Sequence, residues 1–158
     1  MIDEKKLADI AVNAAERFVD SGRSHAGFTK CESPIEKLMF VALSLSGVGR
    51  NATIEQQVPI GDYRVDFQLI ALLVDGEFVR VVVECDGHDF HEKTKEQARR
   101  DKARDRDLVM RGYYVVRFTG SEIWDDAEAC AEHVFQFIEG MQSDAMWKQH
   151  QISEGLQS

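Results

Sequence analysis

Three carboxylates hold the chemistry that this sequence offers. Glu84 and Asp86 end a strand made almost wholly of valine, Val79 to Val83, where acids are not ordinary solvated surface. Two residues apart, they point to the same side of an extended chain. Asp66 lies on the polar side of the preceding candidate strand, Tyr63 to Leu73. Whether Asp66 meets Glu84 depends on the turn between the strands. A two-residue Asp75-Gly76 turn sets Asp66 opposite Cys85 and sends Glu84 to the other face. A three-residue Val74-Asp75-Gly76 loop, with Gly76 left-handed in a bulge, sets Asp66 opposite Glu84. The three-residue loop is the expected one, because it brings the acids together. Facing carboxylates repel unless a cation lies between them. A hard divalent ion, Mg²⁺ or Mn²⁺, suits one or two carboxylates, a main-chain carbonyl and water. Such an ion orients water and stabilises charge on a phosphate under displacement. The alternative is structural: both acids cap or pair at the strand end, with Arg64 or Arg117 as partners.

Other groups lie near in sequence. His88 and His91 flank Asp89 and Phe90 just after the strand. An H-x-x-H pair is half a zinc site, but the remaining histidines are scattered and add no ligand cluster. A loop histidine beside a metal can act as a general base or orient water; the plain alternative is a surface histidine with no role. Glu36 follows Ser33 by three residues, with Pro34 between, and its spacing alone reads as a capping box at a helix start.

These side chains need elements to position them. Leu7, Ile10, Val12, Ala14 and Phe18 recur at helical spacing over Asp3 to Val19, followed by a loop to Lys30. A second helix starts at Ser33 and ends at Gly47 and Gly49. Ala52 to Val58 is a candidate strand. In Tyr63 to Leu73, Tyr63, Val65, Phe67 and Leu69 are expected on one face, with Arg64, Asp66 and Gln68 on the other. Phe78 to Cys85 reads as a central strand buried on both faces. Glu92 to Arg111 is a long charged helix closed by Gly112, Tyr113 to Phe118 a fourth strand, and Glu122 to Gly140 a last helix. The order α-α-β-β-β-α-β-α predicts an α/β fold with one mixed four-stranded sheet flanked by helices. Residues 1–30 form an N-terminal helix and loop, 31–140 the core domain, and 141–158 a polar C-terminal tail.

Length and charge bound the function. The chain has 158 residues, enough for one domain with a real core. Its 19 bases and 28 acids give a net charge of −9. Residues 93–106 run against that balance, with seven bases and three acids. A basic island in an acidic chain is an electrostatic footprint or a solvated, salt-bridged helix face. On a helical wheel Lys95, Arg99, Lys102 and Arg106 form one row, and Lys93, Arg100, Arg104 and Arg111 another. Thr94, Ala98, Asp101, Asp105, Leu108 and Val109 lie between, on the expected sheet-facing side. Such rows can straddle a phosphate backbone. No run of 18 apolar residues is present, so no membrane span is expected. The N-terminus reads as carrying no secretory signal, and three cysteines without C-x-x-C spacing fit a reducing cytosol.

Val81-Val82-Val83-Glu84-Cys85-Asp86-Gly87-His88, then a charged helix, then Gly112-Tyr113-Tyr114-Val115-Val116-Arg117-Phe118, resembles the restriction-endonuclease-like superfamily. Within it, the likeness is to small bacterial domains related to the very short patch repair endonuclease. Ser33-Pro34-Ile35-Glu36-Lys37-Leu38 resembles their opening helix and Tyr63-Arg64-Val65-Asp66-Phe67 their metal-binding strand. The likeness runs from about Cys31 to Trp124. It implies a metal-dependent phosphodiesterase acting on DNA, in which Asp66, Glu84 and the main-chain carbonyl of Cys85 bind Mg²⁺ or Mn²⁺. Glu36 is an added acid, and Asp86 is expected to join Asp66 and Glu84 in holding the metal. Asp86 stands where the superfamily commonly has a lysine, so His88, His91, Lys95 or Arg99 must replace that partner of the attacking water. Lys95, Arg99, Lys102 and Arg106 are the residues expected to hold the DNA backbone. Two rivals remain: a non-catalytic binding module, and an assembly protein. In so short a chain, high sequence specificity calls for a homodimer or a protein partner.

Overall fold

The computed structural model describes residues 30–87 and 95–155. The helix expected over Asp3 to Val19, His88, His91 and the first residues of the charged helix lie outside them. The first described helix, α1 (Pro34–Leu45), begins as its sequence signals. Ser33 is extended and its hydroxyl accepts from the Glu36 N–H, while Pro34 needs no partner at the first position. The helix ends at Ser46, and a single turn, α2 (Val48–Asn51), follows. A Cβ on Gly47 would lie 2.4 Å from the Phe135 ring, so glycine there permits close helix approach.

Three antiparallel-paired strands come next: β1 (Ala52–Ile60), β2 (Tyr63–Leu72) and β3 (Phe78–Asp86). The second hairpin is the three-residue form. Leu73 N donates to Glu77 O and Gly76 N to Leu73 O, leaving Val74-Asp75-Gly76 at the tip. Gly76 has φ +86°, the left-handed backbone that the bulge requires. After β3 the chain crosses over through α3 (Lys95–Met110) to β4 (Tyr113–Thr119), which pairs parallel to β3. The sheet order is β1-β2-β3-β4, so β3 is central, with Val81, Val82 and Val83 fully buried.

The last helix, α4 (Gly120–Gly155), is interrupted by the non-helical backbone of Asp126. Thr119 and Glu122 form a capping box at its start, and the Asp126 carboxylate accepts from Ala129 N, 2.8 Å, to cap the restart. It passes Gly140, the expected end, and takes in 141–155 in place of a tail. Gln142 and Gln149 bond the backbone of Val74 across the hairpin, and Ala145 is buried. Trp147 stays 64% exposed.

Two apolar clusters sandwich the sheet. Met39, Phe40 and Leu43 of α1 and Ile123, Ala131 and Val134 of α4 pack on Phe67, Leu69, Val81 and Val83. On the other side Leu108 of α3 packs on Ile60, Val65 and Val82. The expected face of β2 is therefore split, since Val65 and Phe67 join opposite clusters. The reason lies on the neighbouring rung. Gln57 has φ +50°, and both β1 and β2 exchange faces there: Ile54 packs with the first cluster and Val58 with the second. Strict alternation needs an unbroken extended chain, and the left-handed residue breaks it. None of the described helices is long and apolar enough to cross a membrane.

Candidate active site

The break in alternation is where the acids gather. The β2–β3 ladder runs from Leu72↔Phe78 to Phe67↔Val83 and stops. Counting one rung further, Asp66 stands opposite Glu84. Beyond the ladder, groups that would have bonded across the strands need other partners. Asp66 Oδ2 accepts from Cys85 N at 2.8 Å, and the Arg64 carbonyl accepts from Arg104 Nη2 at 2.8 Å.

Glu36 is buried at the start of α1. Its Oε1 accepts from Ser33 Oγ, 2.8 Å, and its Oε2 from Glu32 N, 2.8 Å. The reciprocal arm of the capping box thus reaches one residue before the cap. Oε2 also accepts from Gln57 Nε2 at 2.9 Å, and the same amide lies 3.4 Å from Asp66 Oδ1. A capping role therefore leaves Glu36 joined to the other acids. Glu84 is buried and receives Arg104 as its ion-pair partner. Asp86 is held by Arg117, 3.2 Å, which also pairs with Asp105 of α3 at 2.6 Å. The expected alternative pairing with Arg117 is present for Asp86, whereas Arg64 pairs with Glu32 instead.

The electrostatics follow from burial. Desolvation pushes the Glu84 carboxyl up to about 7; the Asp66 charge adds to the rise, and Arg104 and Arg117 oppose it. Asp66 is raised as well, first by burial, with Cys85 N–H pulling the other way and Glu36 adding repulsion. The thiol of Cys85 is driven up by burial and by the same acids, so Cys85 offers this site its backbone and not a thiolate. Among the described residues, no three His, Cys, Asp or Glu side chains converge into a cage for a metal ion. Buried Glu84 and half-buried Asp66 are nonetheless a fitting donor set for a hard divalent cation. Mg²⁺ is commonly held by one or two carboxylates plus water and substrate phosphate, without a protein cage.

The structure separates the residues expected to hold the DNA backbone from these acids. Leu108 is buried and Arg104 turns inward, so α3 faces the sheet along that line. Lys95, Arg99, Lys102 and Arg106 are exposed on the opposite side of the helix. Val109, expected toward the sheet, is 59% exposed. The helix is thus rolled, and Arg104 leaves its expected outer row to join the site. The sequence does carry a signal for this: at 100° per residue Arg104 lies only about 40° from Leu108. Gln57 is the other residue missed. Its one trace is the Gln56-Gln57 pair, which interrupts a strand otherwise free to alternate.

An uncharacterized protein of Haemophilus influenzae is 27% identical over 89 residues, covering 56% of this chain and 66% of that protein, so the chain spans slightly under two thirds of its relative. No solved structure matches. The model of the family REase_MTES_1575 matches residues 40–138, from within α1 through all four strands to α4. That span contains Asp66 and Glu84, and the chain belongs to this restriction-endonuclease-like family.

Proposed function

We propose that the protein is a metal-dependent DNA endonuclease of the restriction-endonuclease-like fold, hydrolysing phosphodiesters in repair, recombination or restriction. The observation that carries this reading is the gathering of Asp66 and Glu84 where the β2–β3 ladder ends, with Glu36 linked to Asp66 through Gln57. Asp66, Glu84 and the main-chain carbonyl of Cys85 hold Mg²⁺ or Mn²⁺. When bound, the ion supplies Lewis-acid stabilisation of the phosphate under attack. Glu36 accepts the proton of the attacking water or orients it, sharing that task with His88 or His91. Exposed Lys95, Arg99, Lys102 and Arg106 attract the DNA backbone without reading sequence.

The test is cleavage of labelled single-stranded, duplex and branched DNA with Mg²⁺, Mn²⁺ or EDTA. Metal-dependent products from the wild type, absent with Asp66→Ala and Glu84→Ala, are the expected outcome. Products that persist in clean preparations of either variant exclude the assignment. One observation favours a second reading. Asp86, at the position of the superfamily's common lysine, is bound up with Arg117 and Asp105. A non-catalytic nucleic-acid-binding module fits that arrangement, and salt-sensitive DNA binding without products identifies it.

A further inference from the structure

Arg104 holds an unusual place beside the acids. It extends from α3 across the end of the β2–β3 ladder, and its Nη2 donates to both Glu84 Oε1 and the Arg64 carbonyl. The guanidinium carbon lies 5.8 Å from the centroid of the Tyr63 ring. Arg104 Nε is buried and has no hydrogen-bond partner among the described residues. The side chain keeps 21% of its surface exposed, whereas Glu84 keeps 6%.

The charge balance around it is lopsided. Glu36, Asp66 and Glu84 bring three carboxylates to one row, while Gln57 contributes hydrogen bonds but no charge. Arg117 is engaged by Asp86 and Asp105. Among the described residues, Arg104 is therefore the cation paired with Glu84, and it sits on an oxygen that a divalent ion needs. Two cations at one carboxylate oxygen repel strongly in a partly desolvated site. A displaced guanidinium still has the Arg64 carbonyl and the Tyr63 ring on one side and an opening to solvent on the other. Its fork of donors matches two oxygens of a phosphate.

Building on the nuclease reading above, we infer that Arg104 is an exchangeable counter-ion: it neutralises Glu84 in the metal-free protein and passes to a DNA phosphate when the divalent ion takes Glu84. Metal and DNA then assist each other's binding, and the assistance is reciprocal. Arg104 acts as a positioning residue that keeps the acid row folded while empty and meets the phosphate once it is filled.

Calorimetric titration of the full chain with Mn²⁺ alone tests the exchange, with wild type, Asp66→Asn and Arg104→Met side by side. The wild type is expected to bind Mn²⁺ and Asp66→Asn to lose binding. Arg104→Met should bind about tenfold tighter, the size of one screened charge–charge repulsion. With a short DNA duplex, Ca²⁺ in place of EDTA should tighten wild-type binding, and Arg104→Met should lose that gain. Wild-type Mn²⁺ binding that depends on Asp66 but is unchanged or weaker in Arg104→Met overturns the exchange and leaves the nuclease reading standing. No Asp66-dependent binding in the wild type overturns both. Should Arg104→Met fail to fold, the wild type answers by NMR. Its Arg104 side-chain Nη–H signals should shift and lose exchange protection on addition of Mg²⁺, and signals that stay unchanged refute the proposal.

Discussion

At the scale of the residue, Glu84 gives the protein one pH response that a single substitution isolates. Folding raises its carboxyl from an ordinary 4.5 to about 7, through burial first and Asp66 second. A carboxyl raised by folding favours the folded state in its protonated form. Its contribution is fully present below the unfolded value and is lost as pH rises through about 7. Glu84→Gln keeps the neutral shape at every pH. In EDTA at pH 8 the variant should therefore be more stable than wild type, by up to ~3 kcal/mol at 1.36 kcal/mol per pH unit. The gap should close near pH 4.5. Urea unfolding at both pH values measures this, and a variant less stable at pH 8 contradicts the account. Mn²⁺ should reverse the order at pH 8, because it stabilises only a chain that can bind it. Gln57 is the second residue with a definite cost. Its left-handed backbone is strained by about 1–2 kcal/mol, offset by hydrogen bonds to Glu36 and Asp66. Gln57→Ala keeps the strain and loses the bonds, so it should lower stability by about 1–2 kcal/mol. Gln57→Gly relieves the strain and should lose less, and the difference between the two in chemical denaturation isolates the backbone term.

At the scale of the element, the start of α1 joins stability to the site. Ser33 both caps the helix and bonds the Glu36 carboxylate. Ser33→Ala should cost about 1 kcal/mol in stability, and it should also slow metal-dependent cleavage by freeing Glu36. A stability loss with unchanged cleavage separates the cap from the chemistry. This start was legible in the sequence, because Ser33, Pro34 and Glu36 act through local hydrogen bonds. The hairpin tip was legible for the same reason: Gly76 at the left-handed position fixes the register that sets Asp66 opposite Glu84. Nonlocal features were not. The face exchange at Gln57 rests on one φ angle held by Glu36, 21 residues away in sequence. The roll of α3 depends on Arg104 finding Glu84, 20 residues away, and on Leu108 finding the sheet. Helical periodicity gives the two basic rows but not which of them turns inward. The extension of α4 past Gly140 was hidden because 141–155 lacks an apolar stripe; buried Ala145, the Val74 N–H donated to Gln142 and the Gln149 amide donated to the Val74 carbonyl hold it against the hairpin.

At the scale of the whole molecule, charge is distributed so that one helix opposes the rest. The chain carries −9 overall, yet the outer side of α3 presents Lys95, Arg99, Lys102 and Arg106 to solvent. The acids of the site lie beneath the same helix, toward its sheet side. A phosphate backbone drawn to the outer row has to wrap round α3, or reach over its N-terminal end, to bring a phosphodiester to Glu84. On the route over the N-terminal end, the backbone passes Lys95 and Arg99 before it reaches the site. The two halves of the row should separate experimentally. Lys102→Glu/Arg106→Glu should weaken DNA binding and flatten its dependence on salt, with the log–log slope falling by about 1 for each phosphate that is no longer neutralised, while turnover of bound DNA stays near wild type. Lys95→Glu/Arg99→Glu should flatten the slope to a similar degree and reduce turnover at saturating DNA as well. Fluorescence anisotropy across a salt series gives the slopes, and single-turnover cleavage gives the rates. If neither pair changes the slope, the outer face of α3 is a solvated helix surface. The phosphate would then have to be drawn in by groups on the sheet side, where Arg104 pairs with Glu84.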